Sequence, residues 1–335
     1  MLIKIFKFGI IIDKIGILLY FIPVENKLSD IETILKDCGV YTEQPQSVLK
    51  RLAGLEEFYN KSELVEIYNY ILLHVENEEI LIGTIRLADA NKASSTLAIL
   101  TEMLVKKRTA DTENDIYIDL RAICAKAISN YRDNSTVILL MQCLNNKTEN
   151  YKVRLACADA LGRIGDKYAV PALIDVVKDD EERSVYVKEA ATFALGLLGD
   201  TSVIDPLVSI MEAKQGLWDK FSFLKERIIE VLGKLNISNS KVLRVLKSSL
   251  MDASPIVRIN TIEALMNSEF EEAEELIRTA LKDEDDEVKR NALIALYNMM
   301  GRDILDEVIS LPSYSDFLKN EAKEIINEYE EGDDE

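Results

Sequence analysis

The chain is predicted to be an all-α solenoid of paired antiparallel helices, and three observations carry that expectation. Residues 153–180, VRLACADALGRIGDKYAVPALIDVVKDD, form a two-helix unit with an apolar stripe on each helix, so the unit cannot bury both faces alone. Its first helix recurs. An apolar residue followed by Lys or Arg, with small or apolar residues four, five, seven and eight positions on, begins at Leu120, Val153, Val187, Leu224, Val257 and Val288. These anchors are 33, 34, 37, 33 and 31 residues apart, the irregular period of stacked repeats rather than of a heptad. Finally, 48% hydrophobic residues with only 13 Gly and 6 Pro in 335 residues suffice for a continuous core and leave too few breakers for a β-sandwich.

Within the unit, Val153, Cys157, Ala160, Leu161 and Ile164 recur at helical spacing before Gly165, which accepts positive φ and ends the helix. Asp166 and Pro171 open the second helix, where Val170, Leu173, Ile174 and Val177 make the stripe and Pro171 fits a first-turn position. Gly165, Gly199 and Asn236 fall twelve positions after their anchors. Arg132, Glu269 and Met300 stand there in the other units, whose turns are expected to close differently.

The pattern resembles HEAT repeats, in particular the HEAT-like units of phycobilisome lyases, whose signature VRxxAAxALGxxGD is nearly spelled out by residues 153–166 and 187–200. The resemblance is strong over 115–311 and weaker over the paired-helix segments beginning at Ser47 and Glu79, read as degenerate repeats. It implies a right-handed superhelix with first helices on the convex face and second helices on the concave one, and it implies no activity. The expected organisation is a hydrophobic segment 1–28, divergent repeats 29–114, regular repeats 115–326 and an acidic tail 327–335.

Taken in order, residues 8–22 are apolar except for Asp13 and Lys14. That run is short of the roughly 20 residues a membrane span needs, and each central charge would cost about 2.5–3.5 kcal/mol on insertion. Basic residues precede it, but no small-x-small cleavage site follows. It is read as a cap on the open end of the solenoid or as residues upstream of the true start. Membrane attachment through residues 1–24 is the alternative. In LSDIETILKDC, Ser29 and Glu32 form a capping box for a helix that Gly39 ends. The polar run KKRTADTEND from Lys106 is a loop or a boundary between the divergent and regular halves. The tail from Asn327, rich in Asp and Glu, is expected to be disordered and solubilising.

The net charge of -19, from 59 acidic and 40 basic residues, argues against nucleic acid or an anionic membrane as the main partner. Cys38, Cys124, Cys143 and Cys157 show no CxxC pair, and Cys124 and Cys157 occupy the fifth position of their units, where the next unit has Ala191; both read as small buried hydrophobes in a reducing compartment. His74, the only histidine, is placed inside a helix with no second histidine to share a metal. Neither a phosphate-binding glycine motif nor a GxSxG nucleophile elbow is present. The His-Glu pairs of iron hydroxylases built on such repeats are also missing from the sequence.

Arg121, Arg154, Lys188, Lys225, Arg258 and Lys289, second in their units, form a basic ladder. It is read as structural, paired between adjacent units with Asp133, Asp166, Asp200 and Asp303 in the turns that should neighbour it, as HEAT-like families typically pair these positions. Aligning Leu173, Leu207, Leu246 and Leu276 puts Asp175, Ser209, Ser248 and Arg278 in one polar column facing the groove that the resemblance implies. The 37-residue interval spends its extra length on AKQGLWDKFSF, with Gly216, the only tryptophan Trp218, Phe221 and Phe223. Trp218 and Phe221 either anchor a partner at the groove edge or fold back over their own repeat. The partner-binding candidates are thus Trp218, Phe221, Ser209, Ser248, Asp175 and Arg278. The expected function is a non-enzymatic, cytoplasmic scaffold that binds a protein or peptide and needs no cofactor or metal. A bilin-lyase-type enzyme or enzyme subunit and a membrane-associated adaptor are the alternatives.

Overall fold

The computed structural model describes residues 24–105, 117–213, 222–235 and 239–330, and these contain helices and turns without strands. The 1–23 segment, the polar run from Lys106, Trp218, Phe221 and the last five residues lie outside them. Two compact units divide between Tyr131 and Arg132.

The first unit comprises α1 (Val24–Asp37), α2 (Pro45–Gly54), α3 (Lys61–His74), α4 (Glu78–Asp89), α5 (Ser94–Val105) and α6 (Ile118–Tyr131). Helices α2, α4 and α6 stack in one row, with α3 and α5 beside it, so the weakly patterned segments from Ser47 and Glu79 are paired-helix repeats. The unit extends past the expected boundary at 114/115 because α6 packs on α4 and α5. Helix α1 starts at Val24, which places Ser29 inside it rather than at its N-cap; no breaker stands between Val24 and Ser29 to delay the helix. Gly39 does close the segment, at φ 73°.

The second unit comprises α7 (Val137–Asn145), α8 (Tyr151–Ile164), α9 (Val170–Lys178), α10 (Val185–Leu198), α11 (Ile204–Ala213), α12 (Ser222–Lys234), α13 (Ser240–Ser249), α14 (Pro255–Met266), α15 (Ala273–Ala280), α16 (Asp286–Met300), α17 (Arg302–Ser310) and α18 (Asp316–Glu330). The first helices α8, α10, α12, α14 and α16 pack successively on one another, and each buries its anchor, Val153, Val187, Leu224, Val257 or Val288. Their approach is close enough to require glycine. A Cβ at Gly162 would lie 2.8 Å from the Cα of Ala194, and one at Gly233 would lie 2.7 Å from the Cβ of Ala264. The turns after α8 and α10 close through Gly165 and Gly199 in the left-handed region. Arg132 takes the same conformation at φ 51°, so a non-glycine residue closes its turn in the same way instead of differently.

The ladder is structural, but its partners are not the expected ones. Arg121, Arg154, Lys188 and Arg258 are 1–5% exposed. Their side chains donate to carbonyls at the ends of the preceding second helices: Arg121 to Leu104 (2.9 Å), Arg154 to Leu144 (2.7 Å), Lys188 to Val177 (3.3 Å) and Arg258 to Asp252 (2.7 Å). A cation there complements the helix dipole and satisfies carbonyls that have no partner within their own helix. Carboxylates complete the seam from the loops between repeats, through Arg154 with Glu182 at 2.5 Å, Lys225 with Asp252 at 2.8 Å and Arg258 bidentate on Asp283 at 2.7 and 2.8 Å. Asp133, Asp166 and Asp200 instead accept the N–H groups of Ser135, Tyr168 and Ser202 and cap short 3₁₀ turns; Asp303 stands in the first turn of α17. Distance along the helix explains the correction. The ladder residue begins the first helix, and the turn within the repeat lies about 12 residues, or about 18 Å, farther on.

Arg154→Ala should lower stability by about 1–3 kcal/mol in urea unfolding, because it strands buried Glu182. Burial pushes the Glu182 carboxyl up, but Arg154 and the Ser184 N–H outweigh it and hold it below its ordinary 4.5. The pair's contribution is therefore complete above that value and is lost as pH falls through the depressed folded value. The gap between wild type and Arg154→Ala should close on acidification. Gly162→Ala gives a second check. Exposed helical sites gain up to about 1 kcal/mol from this change, whereas here the clash with Ala194 should reverse the sign to a loss of about 1–3 kcal/mol.

Candidate functional site

Each repeat is a hairpin, so the chain leaves every second helix at the edge where the next first helix begins. At that edge, residues 179–184 are pinned into one conformation. Glu182 accepts from Arg154 and from the Ser184 N–H (2.9 Å), Asp179 accepts from the Glu181 N–H (3.0 Å), and Lys147 reaches Asp179 from the preceding loop at 2.7 Å. Asn150 and Ser184 cap α8 and α10, fixing the first residues of both helices.

Those first residues are aromatic. Tyr151, Tyr186 and Phe223, at the starts of α8, α10 and α12, are 45%, 63% and 62% exposed. The Tyr151 and Tyr186 rings lie 6.2 Å apart, tilted by 31°. With Val185 and flanking charged groups the three line an open cleft of about 1470 Å³. That exceeds the roughly 300–1,000 Å³ of ordinary small-molecule sites, so its dimensions suit a stretch of polypeptide better. Ile256, the matching residue of α14, is 53% exposed.

The residues expected to bind a partner lie elsewhere. Asp175, Ser209 and Ser248, three members of the anticipated column, are exposed on α9, α11 and α13, the second helices. Arg278 is not part of it. Ile277, not Leu276, is the buried equivalent of Leu173, Leu207 and Leu246, since Ala280 and Leu281 repeat the burial of Val176 and Val177; Thr279 therefore stands in the column. Arg278 is held by Glu274 at 2.9 Å and by both oxygens of Glu307 at 3.0 and 3.1 Å, and Tyr314 donates to the same Glu307 carboxylate. Ion pairs also bridge neighbouring second helices, Lys241 to Asp205 and Arg244 to Glu212, so much of that face's charge is satisfied internally. Trp218 and Phe221 lie outside the described residues. Sequence reasoning passed over Tyr151 and Tyr186. Their signal was an aromatic residue one or two positions before the anchor in successive units.

Chemistry-bearing groups are few. All four cysteines are buried free thiols, and burial pushes the Cys124 thiol up to about 12, far from a nucleophile's range. His74 ends α3 rather than lying in its interior; it is exposed, stacks 4.0 Å from Tyr70 and pairs its Nδ1 with the Tyr70 carbonyl. Among the described residues no cluster of His, Cys, Asp or Glu could hold a metal, and no helix is long and apolar enough to cross a membrane.

The family model for HEAT repeats matches residues 106–185, 211–296 and 243–322, and that for the PBS lyase HEAT-like repeat matches 187–212. Among proteins of curated function, none matches the chain. Among solved structures, YibA of Escherichia coli is 15% identical over 84% of this chain and 96% of that one, with a TM-score of 0.50. The CpcE–CpcF complex of phycocyanin lyase from Nostoc sp. PCC7120 is 21% identical over 70% and 96%, with a TM-score of 0.44. Human deoxyhypusine hydroxylase in complex with glycerol is 16% identical over 83% and 99%, at 0.35. At such identities the likeness concerns the fold and carries no activity. Repeat models that match more than half of its residues, together with two units of stacked helix pairs, place the chain in the HEAT repeat family.

Proposed function

We propose that the protein is a non-enzymatic cytoplasmic scaffold that binds a protein partner at the edge between repeats. The observation that carries this reading is the row of Tyr151, Tyr186 and Phe223, three exposed aromatic side chains on successive repeats lining one cleft. Large aromatic residues are costly to leave in water and are the usual anchors of interfaces. A helical hairpin repeat supplies no chemistry of its own, and free buried thiols suit a reducing cytoplasm. The polar column of Asp175, Ser209 and Ser248 would supply secondary contacts to a partner large enough to reach the second-helix face.

The test is a double variant, Tyr186→Ala with Phe223→Ala, used as bait in native lysate beside the wild type. Both side chains are largely exposed, so the melting temperature should stay within a few degrees. The specific partner recovered by the wild type should be lost, with affinity for the purified partner falling about 10- to 100-fold. Full retention of that partner by a folded variant would contradict the proposal.

A further inference from the structure

We infer that the segment docked in the aromatic cleft is cationic, an extended stretch of the partner in which arginine or lysine alternates with apolar residues. This deepens the scaffold reading and rests on it. The first argument is charge. Five carboxylates line the cleft, Glu149, Asp180, Glu181, Glu182 and Glu189, against three cations, Lys147, Arg154 and Arg183. Arg154 and Lys147 pair with Glu182 and Glu181, and Arg227 pairs with Glu189 at 3.3 Å, so the excess is a net one of five lining carboxylates over three lining cations rather than a set of unpaired groups. Burial raises the Glu226 carboxyl, three residues on from Phe223; Glu189 and Asp252 raise it further, and the opposing pull of Arg227 does not cancel them. The net charge of the cleft lining is negative, and an arriving cation relieves it.

The second argument is the geometry of the rings. Tyr151 and Tyr186 stand at the starts of neighbouring helices and line the cleft with exposed rings 6.2 Å apart, and Phe223 continues the row on the next repeat. A guanidinium stacks on such a face while its donors reach a carboxylate, a combination worth most where the cleft excludes water. Glu181 is 87% exposed at the rim, placed to meet a cation as it enters. Arg183, also exposed, is a lining cation that works in the opposite direction. That opposition gives the inference a signed test.

The probe is a fluorescein-labelled synthetic peptide alternating arginine with leucine and tyrosine. Its control has glutamate at every arginine. Fluorescence anisotropy with the full chain should show binding of the cationic peptide, weakening with added salt, and binding of the control at least about tenfold weaker. Exposed charges shift affinity by modest factors, so Arg183→Glu should tighten the cationic peptide and Glu181→Lys should loosen it, each by a factor of about 2 to 5. Tyr186→Ala should weaken it as well. A cationic peptide that fails to bind, or that binds without responding to these three variants, overturns the inference. If the control binds equally well and Tyr186→Ala abolishes both, the cationic preference falls while the aromatic site stands. A natural partner retained by the Tyr186 and Phe223 double variant would remove both readings together.

Discussion

The cation that follows the anchor of the first helix, buried at Arg121, Arg154, Lys188 and Arg258, is the interaction on which the rest of the regular array depends. It joins three segments at once: its own helix, the carbonyl end of the preceding second helix and, at Arg154, Lys225 and Arg258, a carboxylate in the loop that follows its own repeat. Burying a guanidinium is favourable only when its donors are matched, and here carbonyls and carboxylate match them together. The consequence reaches the surface. Glu182 is gripped by Arg154, and the loop carrying Glu182 also carries Asp180, Glu181 and Arg183 and leads into Tyr186, so the seam that holds the repeats together also shapes the cleft.

The spacing between repeats follows from a second constraint on the same helices. Gly162 and Gly233 let first helices meet backbone to side chain, and the row they form is correspondingly tight. The second helices are less intimately joined, and exposed pairs such as Lys241 with Asp205 bridge them. A partner approaching the second-helix face meets charges that already have partners. At the edge between repeats it meets exposed aromatic rings in a cleft of net negative charge, and there the gain from removing surface from water is larger.

Much of this fold is legible in the residues, because a repeat writes its own register. The six anchors are all buried, Cys124 and Cys157 fill the small core position taken by Ala191, and Pro171 sits in the first turn of α9. Errors arose where a property belongs to three dimensions rather than to spacing. The ladder was assigned to carboxylates in the turns within repeats although about 18 Å of helix intervenes. Arg278 was aligned one residue out of register because both Leu276 and Ile277 are apolar and only burial tells them apart. Arg132 in the left-handed region has no sequence mark of the kind glycine gives. The cleft was hidden for a related reason: Tyr151, Tyr186 and Phe223 come from three repeats, and no single unit contains the pattern they make together.

The central claim is that a partner contacts the edge between repeats rather than the face formed by the second helices. Site-specific photo-crosslinking tests this most directly, with p-benzoylphenylalanine placed singly at Tyr186 and at Ser209, both exposed, on α10 and α11 of the same repeat. The account predicts a partner adduct from position 186 that unlabelled cationic peptide competes away, and little or none from position 209. Efficient crosslinking from 209 with none from 186 would place the partner on the second helices and contradict it.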